Sequence, residues 1–179
     1  MIEKIIVAGF GGQGVMAIGK LIAYAGMLEN KQVTWLPSYG PEMRGGTANC
    51  DVIVSDQLIG SPVLTDDATA AIVMNLPSME KFESHLERGG KFLVNSSLVA
   101  KKASREDIEV FYVDANEIAA SIGNVKAANM VMLGALIELT EVVNQDSVLQ
   151  AFTQVFGEDK SKFLELNKEA LKKGAEAVS

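Results

Sequence analysis

The feature that most constrains the fold is a glycine-rich hexapeptide, GFGGQG at residues 9–14, set between an apolar run and an amphipathic segment. The apolar run at 4–8 predicts a short buried strand that ends in a turn. Apolar residues in 15–28 recur at helical spacing, and a second short strand is predicted at 32–36. This β–loop–α–β order is typical of a parallel crossover unit, so we predict an α/β fold.

The α/β alternation resumes beyond residue 64. Strands are predicted at 70–74, 91–94 and 110–113, and helices at 77–86, 126–139, 144–155 and 160–177. Asn75 or a neighbour should cap the helix at 77–86, and Gly89-Gly90 should end it. Asp114 and Glu117 form a capping-box pattern before a further helix.

Residues 47–54 alternate between apolar and polar, and a turn follows at 55–57. We therefore predict an antiparallel, hairpin-like insertion near residues 47–64. The complete prediction is a three-layer, Rossmann-like α/β fold with a mostly parallel sheet and helices on both faces. The length of 179 residues suits one domain, spanning 1–179.

Composition excludes several functional classes. The net charge of −7 argues against binding nucleic acid or an anionic membrane through a basic face. No apolar run reaches the roughly 18 residues that suggest a membrane span. The N-terminal residues MIEKIIVAGFGG are interrupted by glycine too early for a signal peptide. We expect a soluble cytoplasmic protein.

The chain has one cysteine, Cys50, and one histidine, His85. One thiol cannot supply an intramolecular disulfide, a four-cysteine zinc site or an iron–sulfur cluster. We expect no metal site of the His/Cys type. Cys50 is interpreted as buried packing, and His85 as a cation near a helix C-terminus.

The glycine loop has more than one interpretation. Its G-x-G-x-x-G spacing lets backbone N–H groups approach a phosphate, but glycine can equally serve only to turn the chain and pack the helix. An NAD-binding unit places an acid at the end of the second strand, whereas here the strand leads into LPSYGP with no acid before Glu42. A dinucleotide is therefore disfavoured, and an anion, a partner or simple packing stay open. The candidate binding residues are Gly9, Gly11, Gly12, Gln13 and Gly14.

The most unusual stretch is SYGPEMRGG at residues 38–46. Arg44 can grip a carboxylate or phosphate through its planar fork, and Glu42 can hold it in place. Tyr39 and Met43 are residue types that favour an interface. The alternative is a surface loop closed by a weak Glu42–Arg44 ion pair. The candidate anion- or partner-binding residues are Ser38, Tyr39, Glu42, Met43, Arg44, Gly45 and Gly46.

These segments together resemble a known family. GFGGQGV at 9–15, TWLPSYGPEMRGGTANCDVIVSD at 34–56, NLPSMEKF at 75–82, GGKFLVNSSLV at 89–99 and NVKAANMVMLGALIELT at 124–140 are similar to the gamma subunit of 2-oxoacid:ferredoxin oxidoreductases. That family includes pyruvate, branched-chain 2-oxoacid, 2-oxoglutarate and indolepyruvate enzymes. The resemblance covers nearly the whole chain, and the SYGPEMRGGTANC block is its most specific part.

The resemblance implies a complex that oxidatively decarboxylates a 2-oxoacid, forms an acyl-coenzyme A and passes electrons to ferredoxin. It places thiamine diphosphate and magnesium between alpha and beta subunits, and iron–sulfur clusters in the beta and delta parts. The implied partners are alpha and beta, and in some complexes delta, subunits, with ferredoxin and coenzyme A reached through the complex. No residue of this chain carries over as catalytic, so the chain would support the active site and be inactive alone.

Two other functional classes stay open at this point. One is a stand-alone nucleotide- or flavin-binding Rossmann-like enzyme that uses the GFGGQG loop, and the other is a scaffold that contacts no ligand. Cofactor retained by the purified protein would separate the first of these from the rest.

Overall fold

Six strands form one sheet within residues 1–39 and 46–179, the part of the chain that this computed structural model describes. The strands are β1 (Ile2–Phe10), β2 (Gln32–Tyr39), β3 (Thr47–Ser55), β4 (Ala68–Val73), β5 (Leu86–Asn95) and β6 (Glu109–Val113). Their order across the sheet is β2-β3-β1-β4-β5-β6. Strands β1, β4, β5 and β6 are parallel, which confirms the predicted mostly parallel α/β sheet.

The one antiparallel strand in the described ranges, β3, lies between β1 and β2. Val7 in β1 pairs with Cys50 on one side and with Ile72 of β4 on the other. The antiparallel insertion predicted near 47–64 therefore consists of β3, whose hairpin partner is β2, and residues 56–67 contain no strand. Because β1 and β2 both run opposite to β3, their carboxyl ends lie at the same edge of the sheet.

Helices cover the two faces unequally. The helices are α1 (Val15–Leu28), α2 (Leu76–Phe82), α3 (Ala115–Ser121), α4 (Ala128–Thr140), α5 (Gln145–Phe156) and α6 (Leu164–Glu176). On one face α1 and α3–α6 build the larger core, and on the other α2 and the segment 99–108 cover a smaller one. This gives the predicted three layers. No helix in the described ranges is long and apolar enough to cross a membrane.

The central helix of the larger core is α4, which is buried on nearly all sides. It crosses α6 at two glycines: a Cβ on Gly134 would lie 2.0 Å from the carbonyl oxygen of Leu171, and one on Gly174 would lie 1.9 Å from that of Val131. The two backbones are thus in direct contact, which only glycine permits. This central position explains why nearly all of the helix α4 is apolar.

Two predicted helix ends differ from the structure. Helix α2 stops at Phe82 and β5 begins at Leu86, so Gly89-Gly90 lies inside a strand. A Cβ on Gly90 would lie 3.2 Å from the carbonyl oxygen of Ala68 in β4, so this glycine serves close strand approach. Asn75 does cap α2, because its side-chain oxygen accepts a hydrogen bond from the Ser78 N–H at 2.9 Å.

The predicted capping box at Asp114 and Glu117 is wrong. Asp114 is the N-cap of α3, but its carboxylate accepts a hydrogen bond from the Ser96 hydroxyl and none from the helix. The first-turn N–H groups of Asn116 and Glu117 donate instead to the Ser97 hydroxyl, at 3.1 and 3.4 Å. The cap is therefore supplied by the segment after β5, which sequence spacing around Asp114 does not reveal.

Candidate anion- and partner-binding site

The glycine loop follows β1 directly and leads into α1 at the carboxyl edge of the sheet, the edge where β1, β2, β4 and β5 end. Gly14 is the N-cap of α1 with φ +79°, and no side chain caps this helix end. Among the described residues, the N–H groups of Val15, Met16 and Ala17 donate to no acceptor. Unpaired N–H groups and the helix dipole make this end of α1 a positive pole.

Two residues of the loop have packing roles. The Gln13 side-chain oxygen accepts hydrogen bonds from the Phe10 N–H at 2.6 Å and the Asn75 amide at 3.2 Å, and its nitrogen donates to the Met74 carbonyl at 3.2 Å. This amide ties the loop to the end of β4. A Cβ on Gly9 would lie 2.7 Å from the same Gln13 oxygen, so no side chain fits there.

The other glycines face open space or the start of α4. A Cβ on Gly11 or on Gly12 would meet nothing within 4 Å. Gly12 has φ +94°, which favours glycine for conformational reasons alone. A Cβ on Gly14 would instead lie 2.4 Å from the Asn129 side-chain nitrogen. The loop therefore has an open part, Gly11 and Gly12, beside a tightly packed one.

The structure brings Gly46, the last residue of the second candidate loop, next to the glycine loop. Gly46 accepts a hydrogen bond through its carbonyl from the Gly11 N–H at 3.1 Å, and Phe10 pairs with Thr47 across β1 and β3. Ser38 and Tyr39 end β2 at the same edge, and the Tyr39 side chain is 70% exposed. Glu42, Met43, Arg44 and Gly45 lie outside the described residues, and so does the proposed Glu42–Arg44 pair.

A cavity of 430 Å³ opens at the glycine loop. It is lined by Gly12, Gln13, Gly14, Met74, Leu98, Asn116, Val125, Lys126, Ala128 and Asn129. Its charged lining residue is Lys126, and no carboxylate is among these residues. The cavity thus combines backbone N–H groups, one lysine and three side-chain amides, which suits a negatively charged or hydrogen-bonding group.

Exposed apolar side chains line this cavity and also lie elsewhere along the same edge of the sheet. Leu98 and Val125 line the cavity and are exposed. Leu76 after β4 and Tyr39 at the end of β2 are exposed at this edge without lining the cavity. Exposed apolar side chains that gather at one edge, around a polar centre, are typical of an interaction surface. The carboxyl edge therefore has features of both an anion site and a protein interface.

Sequence reasoning missed Asn116, Lys126 and Asn129, which come from α3, a short 3-10 helix at Val125–Ala127, and α4. Their proximity to the glycine loop depends on how the helices pack. A signal was available for Leu98 and Asn116, since residues that follow parallel strands gather at the carboxyl edge of the sheet.

The remaining reactive residues lie away from this cavity. The side chain of Cys50 is fully buried, its Sγ lies 3.6 Å from the Val15 carbonyl oxygen, and burial raises the pKa of its thiol to about 12. His85 packs edge-on against Phe82, with ring centroids 5.4 Å apart. Within the described ranges no group of three His, Cys, Asp or Glu side chains is placed to hold a metal ion.

The fold and site thus define an α/β domain with an antiparallel strand beside β1 and an open glycine loop at the carboxyl edge of its sheet. The model of the pyruvate ferredoxin/flavodoxin oxidoreductase family matches residues 4–177, so the chain belongs to that family. This confirms the family resemblance drawn from the sequence.

Two similar proteins illustrate the relationship. The chain is 35% identical over 174 residues to the ketoisovalerate oxidoreductase subunit VorA of Methanothermobacter thermautotrophicus, covering 97% of this chain and 36% of VorA. It is 34% identical over 155 residues to the 2-oxoglutarate synthase subunit KorC of Methanocaldococcus jannaschii, covering 84% and 82% of the two chains. The chain therefore spans about a third of VorA and most of KorC.

The fold also matches solved structures. The gamma subunit of a keto/oxoacid ferredoxin oxidoreductase from Geobacter sulfurreducens superimposes with a TM-score of 0.83 at 30% identity, covering 98% of each chain. A 2-oxoglutarate:ferredoxin oxidoreductase from Magnetococcus marinus gives a TM-score of 0.89 at 23% identity, and 31% of that longer chain is covered. The same fold thus occurs both as a chain of this length and within a longer one.

Proposed function

We propose that residues 1–179 act as one gamma-type domain of a multi-subunit, thiamine-diphosphate-dependent 2-oxoacid:ferredoxin oxidoreductase in the cytoplasm. The complex would oxidatively decarboxylate a 2-oxoacid to an acyl-coenzyme A and pass the electrons to ferredoxin. Its enzyme class acts on the oxo group of donors with an iron–sulfur protein as acceptor. This chain would support the active site and be inactive alone, and its partners would be alpha and beta subunits, with or without delta.

The cofactors are assigned to those partners. The single cysteine of the chain is buried, and the described residues offer no metal-binding cluster. These residues do not fit an iron–sulfur cluster or a magnesium site. We therefore derive no catalytic step in this chain, and assign thiamine diphosphate, magnesium and the clusters to the alpha, beta and delta parts.

The arrangement of residues at the carboxyl edge of the sheet is the observation that favours a role beside the active site. Backbone N–H groups at the start of α1, the open glycines and Lys126 would face an anionic group such as the phosphates of coenzyme A, while Tyr39, Leu76, Leu98 and Val125 would contact a partner subunit. The binding residues proposed in the glycine loop are Gly9, Gly11, Gly12, Gln13 and Gly14. Those in the second loop are Ser38, Tyr39, Glu42, Met43, Arg44, Gly45 and Gly46.

The first experiment isolates the chain with its partners from the source cell. The co-purifying proteins are identified, and the preparation is assayed for 2-oxoacid-dependent reduction of an artificial electron acceptor. Alpha and beta subunits with this activity are the expected result. The lone chain with stoichiometric flavin or nucleotide and no partner would contradict the proposal and favour a stand-alone enzyme.

The second experiment tests the open loop with Gly11→Ala. A Cβ there meets nothing within 4 Å, so the folded subunit should keep its thermal midpoint. A methyl group placed against a bound phosphate or a partner should lower turnover of the assembled complex about tenfold, equivalent to ~1.4 kcal/mol. Gly60→Ala is the matched control, because its Cβ also meets nothing within 4 Å. Gly60 lies between the end of β3 and the start of β4, at the opposite edge of the sheet. Equal turnover of both variants would show that the glycine loop faces neither a ligand nor a partner.

A further inference from the structure

Three side-chain amides, those of Gln13, Asn116 and Asn129, line the 430 Å³ cavity at the glycine loop, which we call the glycine-loop cavity. An amide offers a ligand either its oxygen or its N–H groups, depending on which end the protein already engages. The Gln13 oxygen accepts two hydrogen bonds from this chain, at 2.6 and 3.2 Å, and the Asn129 oxygen accepts one from the Met130 N–H at 3.0 Å. Both oxygens are engaged within the protein, so N–H groups are what these two amides offer to a ligand.

The orientation of the third amide, that of Asn116 at the start of α3, depends on Asn95. Asn95 ends β5, its side chain is fully buried, and its nitrogen donates a hydrogen bond to the Asn116 oxygen at 2.8 Å. Because Asn95 engages the oxygen of Asn116, the amino group of Asn116 is the end that is left for a ligand. Every polar side chain of the lining, including Lys126, therefore acts as a hydrogen-bond donor.

The Asn95 amide has one unsatisfied end. Its side-chain oxygen is buried and has no hydrogen-bond partner within residues 1–39 and 46–179. If this amide were turned over, its oxygen would accept a hydrogen bond from Asn116, but both N–H bonds of the buried nitrogen would then lack an acceptor. Unpaired N–H groups are rarer in protein interiors than unpaired carbonyl oxygens, so the observed orientation is the favoured one. It is also the orientation that leaves the Asn116 amino group for the cavity.

The unpaired oxygen of Asn95 costs free energy that an apolar residue would avoid, because the atom loses its water without gaining a partner. What the asparagine contributes is its hydrogen bond to Asn116. We propose that Asn95 is a positioning residue: it holds the Asn116 amino group towards the ligand, and thereby makes the glycine-loop cavity selective for anions without hydrogen-bond donors. Sulfate and phosphate diesters have this chemistry, since their free oxygens are all acceptors. The proposal rests on the anion-binding role proposed for this edge of the sheet.

The first measurement is an NMR titration of the full chain with sulfate at constant ionic strength. Sulfate should bind saturably, with a dissociation constant of roughly 10 mM, and should shift the side-chain NH₂ signals of Asn116 and the backbone amide signals of 11–17. No saturable shift up to about 100 mM would overturn the proposal. Because the chain is studied without its partners, this outcome is independent of whether alpha and beta subunits co-purify with it, and the two proposals can fail separately.

The second measurement is the sulfate affinity of Asn95→Leu. This change removes the unpaired oxygen together with the hydrogen bond to Asn116, whose amide can then turn its oxygen to the cavity. Sulfate should bind about fivefold more weakly, while the thermal midpoint stays close to that of the parent chain. Asn167→Leu is the matched control, because Asn167 is a buried asparagine of α6 that does not line this cavity, and it should bind sulfate like the parent. If Asn95→Leu also binds sulfate like the parent, the proposal is wrong.

A double-mutant cycle separates positioning from a general structural effect. Asn116→Ala removes the amide that Asn95 is proposed to orient, and should weaken sulfate binding about fivefold. Adding Asn95→Leu to Asn116→Ala should weaken it no further, because Asn95 then has no amide left to act through. An additive result, with binding about 25-fold weaker than in the parent chain, would show that Asn95 affects the cavity by another route and would overturn the proposal.

The fold of each variant is checked by its thermal midpoint. If Asn95→Leu does not fold, Asn95→Ala takes its place in both measurements, because it removes the same amide without adding bulk. If neither variant folds, Asn95 is a structural residue of the sheet and the positioning role is refuted.

Discussion

Alanine substitutions along the glycine loop test the geometry of the candidate site, because three neighbouring glycines should respond differently. Gly11 has neither a positive φ nor a Cβ contact within 4 Å, so Gly11→Ala should leave stability nearly unchanged. Gly12 has φ +94° and open space, so Gly12→Ala should cost only backbone strain, about 1–2 kcal/mol. Gly14 has φ +79° and a Cβ position 2.4 Å from the Asn129 nitrogen.

The expected cost of Gly14→Ala is the sum of two effects. Backbone strain contributes about 1–2 kcal/mol and overpacking against Asn129 about 1–3 kcal/mol, for a total of roughly 2–5 kcal/mol. At about 2–4 °C per kcal/mol, the thermal midpoint should fall by about 4 °C or more for Gly14→Ala and by roughly 2–8 °C for Gly12→Ala.

Thermal and urea unfolding of the isolated chain measure this series. Adding Asn129→Ala to Gly14→Ala should recover the overpacking part but not the strain, which gives a coupling of about 1–3 kcal/mol in a double-mutant cycle. If Gly11→Ala lowers the stability of the chain as much as Gly14→Ala does, the loop geometry is refuted. If the effects of Gly14→Ala and Asn129→Ala on stability are purely additive, Asn129 does not contact the alanine side chain at position 14.

Two further predictions concern single side chains, and a third concerns NAD binding. Because burial raises the pKa of the Cys50 thiol to about 12, iodoacetamide should leave it unmodified in the native chain at pH 8 and alkylate it in urea, and equal rates in both states would contradict this. Burial raises the pKa of Glu29, but hydrogen bonds from Lys31 Nζ and the Asn144 N–H lower it by more, so the net direction is downward. Glu29 therefore stabilises the fold at pH values above its unfolded-state pKa and loses this effect as the pH falls through its folded-state pKa. Glu29→Gln should therefore cost about 1–2 kcal/mol at pH 7 and progressively less in urea melts below about pH 4, and a constant difference would refute the linkage. NAD should bind weakly in calorimetry, and a dissociation constant near 1 µM, equivalent to ~8 kcal/mol, would overturn that expectation.

The local sequence pattern was sufficient to predict most of the helices and strands. The predicted helix at 15–28 coincides with α1, because its apolar spacing and the preceding glycine both specify the helix start. The Gly89-Gly90 pair misled the prediction, because glycine ends helices and also permits close strand approach, and only the position of Ala68 in β4 decides between these roles. Similarly, the Ser97 hydroxyl, and not the Asp114 carboxylate, accepts the hydrogen bond from the first turn of α3, and Ser97 belongs to a separate segment of the chain.

Only part of the candidate site could be predicted from the sequence. The glycine loop and the segment 38–46 are unusual in composition, and the Gly11–Gly46 hydrogen bond shows that Gly46, at the end of that segment, contacts the glycine loop. Lys126 and Asn129 are ordinary residues at the start of an apolar helix, and their relation to the loop arises from the packing of α4 beside α1. Residues that are contributed by tertiary packing carry no local signal.

Strand order bears on the meaning of the G-x-G-x-x-G spacing in this chain. In a dinucleotide-binding unit the second strand lies beside the first, so that an acid at its end reaches the ribose of a nucleotide held at the glycine loop. Here β3 lies between β1 and β2, which places β2 about 10 Å from β1, two strand spacings away. Even an acid in place of Ser38 would then start one strand too far from the loop. The antiparallel insertion thus separates the glycine loop from ribose recognition, and it brings Gly46 to Gly11 in the position where β2 would otherwise stand.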